Sequence, residues 1–330
     1  MPRRARSCTI GHRSAAAVVR RTPVDHAEAV RIFFAAAPEG VTVPGAVTGG
    51  SPARALRDAL EPLAMHDVWS SRVGEATAAH GHDFFSAYVT GRAAPFGADP
   101  PPELVAAAFA VFEPGFVGDT WERGRALLPI EDLQRLREDA TVESLQEILG
   151  DDPDVAPVAA VLERAVDAVA GAGRPLFAAL RARPRPGHPA GRLWRAADLV
   201  REHRGDGHVA ASVAAGLDPV RMGILAELWV GYPLGEYSGT RAWPEEFATA
   251  GAHRLADEGL ITTAAPGAEL TDAGRAFRDG VEAATDTSQA DLLTALGPDL
   301  DHVTAALNRW SDACVAAGAF PPDVRKRAAG

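Results

Sequence analysis

A dense run of polar side chains, Arg201–His208, carries the residue types best suited to chemistry in this chain. It contains His203, Arg204, Asp206 and His208. An imidazole exchanges a proton near neutral pH, and a guanidinium holds a carboxylate or a phosphate through two hydrogen bonds. The run therefore predicts one of three features: a buried hydrogen-bonded contact between helices, a site for a small anionic ligand, or a metal site.

The glycines of this run predict its local shape. Gly205 suits the left-handed residue just past a helix end, and Asp206 can cap the free N–H groups of a following helix. The pattern predicts a tight corner between a helix over 190–204 and a second helix over 207–216. The two histidines would then converge at that corner.

A second polar group lies in the first half of the chain. Tyr88 and Arg92 are one helical turn apart and precede an Ala-Ala-Pro-Phe-Gly break. An arginine at such a break can project into a cleft and hold a carboxylate or phosphate with both of its terminal nitrogens. The alternative is an ion pair with Glu61 or Glu113 that fixes neighbouring helices.

Composition limits the classes of protein that this chain can belong to. It has 330 residues, 47% of them hydrophobic, which is enough for a sizeable core and for two domains. Its 44 acidic and 33 basic side chains give a net charge of −11, which repels nucleic acid unless a local basic face overcomes it. Two cysteines are too few for a disulfide framework, and no apolar run reaches the roughly 20 residues that span a bilayer. We expect a cytoplasmic protein without a membrane segment.

Hydrophobic periodicity predicts a mainly α fold. Apolar residues recur at spacings of three and four along nearly the whole chain, and only 260–263 and 268–270, on either side of a Pro-Gly turn, predict a short hairpin. Prolines and glycines between Arg181 and Gly191 predict a domain boundary. The predicted division is a disordered basic extension (1–22), an N-terminal helical domain (23–183), a winged-helix domain (184–325) and a tail (326–330).

The second half has the element order of a winged helix. The segment Leu255–Ile261 resembles the end of the recognition helix of MarR-type regulators, and Gly267–Gly274 resembles their wing. The chain from about 52 to 325 also resembles an actinobacterial family of helix-turn-helix proteins. The matching segments are 61–63, 91–97, 173–176, 201–208, 270–274 and 282–286. This resemblance implies a helical N-terminal domain and a winged-helix domain with a β-hairpin wing, but no catalytic residues.

DNA binding is the activity that this resemblance suggests. Its candidate contact residues are Arg241, His253 and Arg254. The candidate recognition helix between Trp243 and Glu258 nevertheless carries four acidic residues, and the hairpin contains neither lysine nor arginine. Specific duplex binders make roughly six to ten phosphate contacts. The acidic helix therefore disfavours DNA as a partner without removing it as an alternative.

The favoured hypothesis is recognition of a small molecule in a cleft between the two halves, in a regulatory or accessory role. One wall would contain the four residues of the polar run, and the other would contain Tyr88 and Arg92. A MarR-like DNA-binding regulator is the first alternative. A non-standard enzyme that uses His203, Asp206 and His208 is the second, because the chain lacks the phosphate-loop, dinucleotide and nucleophile-elbow motifs of standard enzymes.

Cofactors and assembly are less determined by the sequence. No cofactor is identified, and no metal-ligand set is assigned. The last helices carry more apolar side chains than a lone terminal segment needs, which predicts either a homodimer or a helix pair that folds back on the chain. These side chains are Leu292, Leu293, Leu296, Val303, Leu307 and Trp310.

Overall fold

The computed structural model describes residues 26–43 and 50–329, and nearly all of its regular structure is helical. The helices are α1 (His26–Phe33), α2 (Pro52–Ala64), α3 (His66–Trp69), α4 (Ser71–Ala78), α5 (Phe84–Ala93), α6 (Pro102–Phe109), α7 (Pro114–Arg125), α8 (Ile130–Leu149), α9 (Val155–Ala168), α10 (Pro175–Arg181), α11 (Pro189–Ala214), α12 (Pro219–Trp229), α13 (Glu245–Asp257), α14 (Asp272–Thr287), α15 (Ala290–Leu296), α16 (Leu300–Ala316) and α17 (Val324–Ala329). Short 3-10 turns occupy Ala94–Phe96, Ser238–Arg241 and Gly297–Asp299. The mainly α class agrees with the sequence, whereas the predicted extension over 1–22 lies outside the described residues.

Side-chain caps determine where several of these helices begin. Asp83 accepts hydrogen bonds from the N–H groups of Phe85 (2.9 Å) and Ser86 (3.0 Å) at the start of α5. Asp218 and Thr271 cap α12 and α14 in the same way. Such caps satisfy N–H groups that have no partner inside the helix.

The predicted β-hairpin wing is wrong. Within the described residues no strand is present, and the segment between α13 and α14 contains one isolated antiparallel bridge, Ile261 to Leu270. The Pro266-Gly267 turn and the cap of α14 leave little room for a ladder, because Thr271 is already bonded to the carbonyl oxygens of Leu260 and Gly259. The segment is therefore a closed loop rather than an extended wing.

The predicted corner at Gly205 is also wrong, because α11 is one continuous helix of 26 residues that includes Gly205. Neither Gly205 nor Gly207 has a positive φ angle. Gly207 serves packing instead. A Cβ atom there would lie 2.4 Å from the hydroxyl of Ser288 and 2.7 Å from the guanidinium of Arg174. The glycine allows a close approach of neighbouring groups, which local sequence does not distinguish from a helix end.

Three buried apolar clusters form the core. The largest joins α2 and α8–α11 to α15 and α16, the second joins α1 to α5–α8, and the third joins α12–α14 to α17. The largest cluster takes residues from both sides of the predicted boundary at 183, and the two-domain division stays a prediction.

The end of the described chain returns to the core. The described residues from 326 onward, predicted to form a tail, belong to α17. Its residue Ala328 is buried, and the backbone oxygen of Ala328 accepts a hydrogen bond from Arg54 on α2 at 2.6 Å. This return places the side chains of α17 beside α1, α2 and the 3-10 turn at Ser238–Arg241.

The apolar side chains used to predict a dimer lie inside the chain's own core. Leu292, Leu296, Val303, Leu307 and Trp310 belong to the largest cluster, with Leu293 packed at its edge. They therefore give no support to a dimer interface. In the described part of the chain no single helix meets the length and hydropathy of a membrane span; only α11 and α12, bent by 111° at their junction, meet them as a pair.

Candidate functional site

The two histidines of the polar run point to different parts of the structure. They are five residues apart on one helix, hence roughly 140° apart around its axis. Nδ1 of His203 lies 2.8 Å from the side-chain oxygen of Gln289, and Nδ1 of His208 lies 3.0 Å from the hydroxyl of Thr285. Burial lowers the pKa of His203 to about 4 and lowers that of His208 well below its usual value. Both rings are therefore neutral near pH 7, and they do not converge.

Asp206 acts as a cap, but for a different helix from the one predicted. Its carboxylate accepts a hydrogen bond at 3.0 Å from the N–H of Phe177, in the first turn of α10. Burial raises the pKa of Asp206 to about 6, partly offset by this bond. The carboxylate thus fixes α10 against α11, and it also borders the cavity described below.

Arg204 belongs to a buried ion-pair network centred on Glu282 of α14. The carboxylate of Glu282 accepts hydrogen bonds from Arg204, from Arg278 at 2.8 Å and from Arg54 at 3.2 Å. Burial raises the pKa of Glu282, but the three guanidinium groups outweigh it and lower the pKa below its usual value. The network joins α2, α11 and α14.

Arg92 forms an ion pair with neither of the two expected acids. Its guanidinium bonds both carboxylate oxygens of Glu202, at 2.9 and 2.8 Å. Glu202 also accepts a bond from Arg201 at 2.9 Å, and Arg201 in turn bonds Glu61 at 3.1 Å. The two-point geometry predicted for a ligand carboxylate is thus used by a carboxylate of the protein.

A cavity of about 220 Å³ lies where these networks meet. This volume far exceeds the roughly 10–15 Å³ that one water needs, so the cavity has room for a small organic molecule. Its lining comes from both sides of residue 183. Of the six predicted ligand residues, all but His203 border it: Tyr88, Arg92, Arg204, Asp206 and His208.

Aromatic rings form much of the cavity wall. The rings come from separate helices and loops and border one open space. They provide flat apolar surface for a ligand body. The main ones are Trp69, Tyr88, Phe109, Phe112, Tyr237 and Phe320.

The wall also carries an excess of positive charge. Eight arginine or lysine side chains and two carboxylates border the cavity. Six of the cations form ion pairs with protein carboxylates: Arg54, Arg57, Arg92, Arg201, Arg204 and Arg278. Within 26–43 and 50–329, the other two, Arg241 and Lys326, form no ion pair. These two are therefore the cations that a ligand carboxylate could meet without competing with a carboxylate of the described residues.

Arg241 is held by the loop that follows α12. The N–H of Glu113 donates to the backbone oxygen of Arg241 at 2.9 Å, and the indole of Trp243 donates to that of Val111 at 2.8 Å. The Arg241 guanidinium lies 4.6 Å from the centre of the Phe112 ring. The residue predicted as a DNA contact thus faces the cavity.

Glu227 of α12 organises the same loop, and sequence analysis missed it. Its carboxylate, 0% exposed, accepts hydrogen bonds from the N–H groups of Gly235, Tyr237 and Ser238 and from the Ser238 hydroxyl, at 2.7 to 3.0 Å. Burial raises the pKa of Glu227, and these bonds oppose the rise. The loop that carries Arg241 is therefore fixed by a single buried acid.

Lys326 of α17 was also missed, although the sequence held a signal: it is the only lysine among the 33 basic residues. Its amine lies 4.8 Å from the centre of the Phe33 ring, 4.6 Å from Tyr237 and 5.7 Å from Tyr232. Burial, followed by repulsion from Arg241, lowers the pKa of the Lys326 amine to about 7. This cation alone among those lining the cavity can lose its proton near neutral pH, since arginine stays charged.

The other two candidate DNA contacts lie on the exposed side of α13. His253 and Arg254 are exposed, and Arg254 forms an ion pair with Glu258 at 3.1 Å. Glu245 and Glu246 are exposed at the start of the same helix. The outward face of α13 is therefore acidic in the structure, as in the sequence.

Fold and cavity together define a mainly helical protein with a cation-rich internal site. The chain matches the helix-turn-helix family over residues 53–321 and belongs to that family. No curated protein and no solved structure matches it. The predicted helix-turn-helix relationship is confirmed, while the MarR-like and actinobacterial assignments stay predictions.

Proposed function

We propose that this helix-turn-helix family protein binds a small organic anion with an apolar body in the cavity between α5, α11, α12 and α17, in a regulatory or accessory role. The observation that carries the proposal is the pairing pattern of the cavity cations. Six form ion pairs with protein carboxylates, whereas among the described residues Arg241 and Lys326 have no ion-pair partner. Both side chains are half-buried. A cation that is partly withdrawn from water without a partner carries a cost, and an anionic ligand would reduce that cost.

The ring side chains support the apolar part of the proposal. Ligand sites combine mostly apolar walls with a few placed polar groups. Here the lining divides into apolar rings such as Phe109 and Phe112 and the charged groups of Arg241 and Lys326, with the Arg241 guanidinium lying over the Phe112 ring. A carboxylate on a flat or branched hydrocarbon body matches that division.

Calorimetry and thermal melting against paired compounds test this function. Aromatic and branched carboxylates should bind and raise the melting temperature, and the corresponding neutral amides should bind at least about tenfold more weakly, because they lose the charge-assisted bonds. Ala226→Phe, which fills the cavity from α12, should abolish binding. Ala210→Phe, on the exposed side of α11, is its matched control. Equal affinity for acids and amides, or binding that survives in Ala226→Phe, would contradict the proposal.

DNA binding is a second candidate function, favoured by the family relationship. It would use the exposed side of α13, and its acidic residues oppose that use. Selection from random duplexes followed by anisotropy measurements decides between the two. Nanomolar binding that weakens with salt and is lost in a His253→Glu, Arg254→Glu double variant would establish DNA as a partner.

A further inference from the structure

Lys326 is placed for a reaction as well as for charge. It is the one lysine of the chain, and its amine borders a cavity that can admit a small molecule. Among the described residues it has no ion-pair partner, and no hydrogen bond to its amine is formed. A lysine held only by aromatic rings keeps its amine accessible to a ligand.

Burial, followed by repulsion from Arg241, lowers the pKa of the Lys326 amine and so favours its neutral form. The Arg241 guanidinium and the Lys326 amine lie 4.4 and 4.6 Å from the centre of the same Tyr237 ring. Asp323 and Glu236 attract the proton and Arg325 repels it. The carboxylate of Asp323 is itself bonded to Arg325 at 2.8 Å, which weakens its pull. A neutral amine is the nucleophile that attacks carbonyl carbon, and desolvation beside another cation is a known way to obtain one.

Arg241 supplies the second half of a recognition pair. Its guanidinium borders the same ring as the amine and lies over the Phe112 ring. A ligand with a carboxylate for Arg241 and a carbonyl for Lys326 would use both groups together. An apolar body on such a ligand would meet the rings.

We propose that Lys326 forms a reversible imine with an oxo acid that has an apolar body, while Arg241 holds the carboxylate. The amine nitrogen forms a bond to the carbonyl carbon, and the C=O π electrons move to oxygen. One proton passes from nitrogen to that oxygen and gives a carbinolamine. The C–O bond then breaks, the hydroxyl group leaves as water with the second N–H proton, and the nitrogen lone pair forms the C=N bond. One amine and one carbonyl thus give one imine and one water, with no change of oxidation state. This inference rests on the proposed ligand cavity.

Borohydride trapping tests the imine in the full-length chain. The probe is phenylpyruvate, an aromatic oxo acid, and the adduct is located by intact mass and peptide mapping. We expect one reduced adduct on the peptide that contains Lys326. Lys326→Arg, which keeps the charge but cannot form an imine, should give none there. Its melting curve shows whether the fold is kept.

Two further experiments test the carboxylate contact of Arg241 and the occupancy of the cavity separately. Arg241→Gln should slow trapping of phenylpyruvate about tenfold, but it should leave trapping of benzaldehyde, which has no carboxylate, little changed. Phenyllactate, the hydroxy analogue, should bind without forming an adduct and should protect Lys326.

The outcomes distinguish failure of the imine from failure of the cavity. Labelling confined to the N-terminal amine, or labelling in Lys326→Arg equal to that of the parent, overturns the imine inference. If phenyllactate still binds in that case, the cavity function stands. If neither phenyllactate nor the paired carboxylates bind, the proposed function falls as well.

Discussion

Replacing Lys326 by methionine should make the protein more stable at pH 6, because the lysine carries a folding cost. Methionine keeps the length of the side chain and removes the charge. Lowering the pKa of an amine from 10.5 to about 7 corresponds to at most about 5 kcal/mol, at about 1.4 kcal/mol for each factor of ten. That figure is an upper limit on the cost of the charge.

Two features of the site reduce the cost. The amine lies near three aromatic rings, Phe33, Tyr232 and Tyr237, and each such contact favours the charged form by about 0.5–1 kcal/mol. Lys326 is also only half-buried, so part of its side chain remains exposed to solvent. We therefore expect Lys326→Met to raise the free energy of unfolding by about 1–3 kcal/mol at pH 6.

The pH dependence of this gain has a definite sign. Below about pH 7 the amine is protonated in both states, so the whole cost is present. Between about pH 7 and 10.5 the folded protein loses the proton while the unfolded chain keeps it, so the parent gains stability as pH rises. The advantage of the methionine variant should therefore shrink over that window.

Urea unfolding at pH 6 and pH 10, followed by tryptophan fluorescence, measures both effects. Lys326→Arg is the matched control, because it keeps a charge that cannot titrate and should gain nothing at pH 6. Since the chain has one lysine, ¹³C reductive methylation also gives a direct NMR titration with an expected midpoint near 7. A destabilised methionine variant, or the same advantage at both pH values, would refute the reasoning.

Three other predictions follow from buried groups. Glu227→Ala should lower the free energy of unfolding by about 2–4 kcal/mol and Glu227→Gln by less, because the alanine leaves four donors unpaired; chemical denaturation measures both. Gly207→Ala should destabilise the protein by about 1–3 kcal/mol, because the new Cβ would lie closer than 3.0 Å to neighbouring side chains. Gly205→Ala on the same helix has no such neighbour and should be neutral or stabilise by up to about 1 kcal/mol. Equal effects in the two melting curves would contradict this reasoning. His203→Gln should reduce the loss of stability between pH 6.5 and pH 4. In that window the unfolded chain takes up a proton at His203, whereas the folded protein, with a His203 pKa of about 4, does not. Urea unfolding at both pH values should therefore show the parent losing up to about 3 kcal/mol more than the variant.

Much of the cavity could be predicted from residue types, but its contacts could not. Five of the six proposed ligand residues border it, although three of them, Arg204, Asp206 and His208, do so from the middle of α11 and not from the predicted helix junction. The partner of Arg92, Glu202, is 110 residues away in sequence. No local pattern distinguishes that acid from Glu61 or Glu113.

Errors at the glycines have a physical cause. Glycine permits either a left-handed turn or a close approach of other groups. Gly207 serves the close approach, whereas Gly205 serves neither purpose, and both lie within a continuous helix. The wing was mispredicted for a related reason. Two short apolar segments around Pro266-Gly267 satisfy the hairpin pattern. Thr271 nevertheless bonds the backbone oxygens of Gly259 and Leu260, just after α13, and these bonds close the segment into a loop.

Composition and periodicity sufficed for the helical class, for several helix starts and for the stock of charged groups, because these depend on residues close together in the chain. Only the tertiary structure revealed the cavity, the inward direction of Arg241, and the lack of an ion-pair partner for Arg241 and Lys326 within the described residues. They depend on which carboxylates reach which guanidinium groups, as in Arg204 with Glu282, 78 residues apart. A cation can bind a ligand carboxylate only if no carboxylate of the protein already pairs with it. Which cations remain without a partner depends on the whole fold.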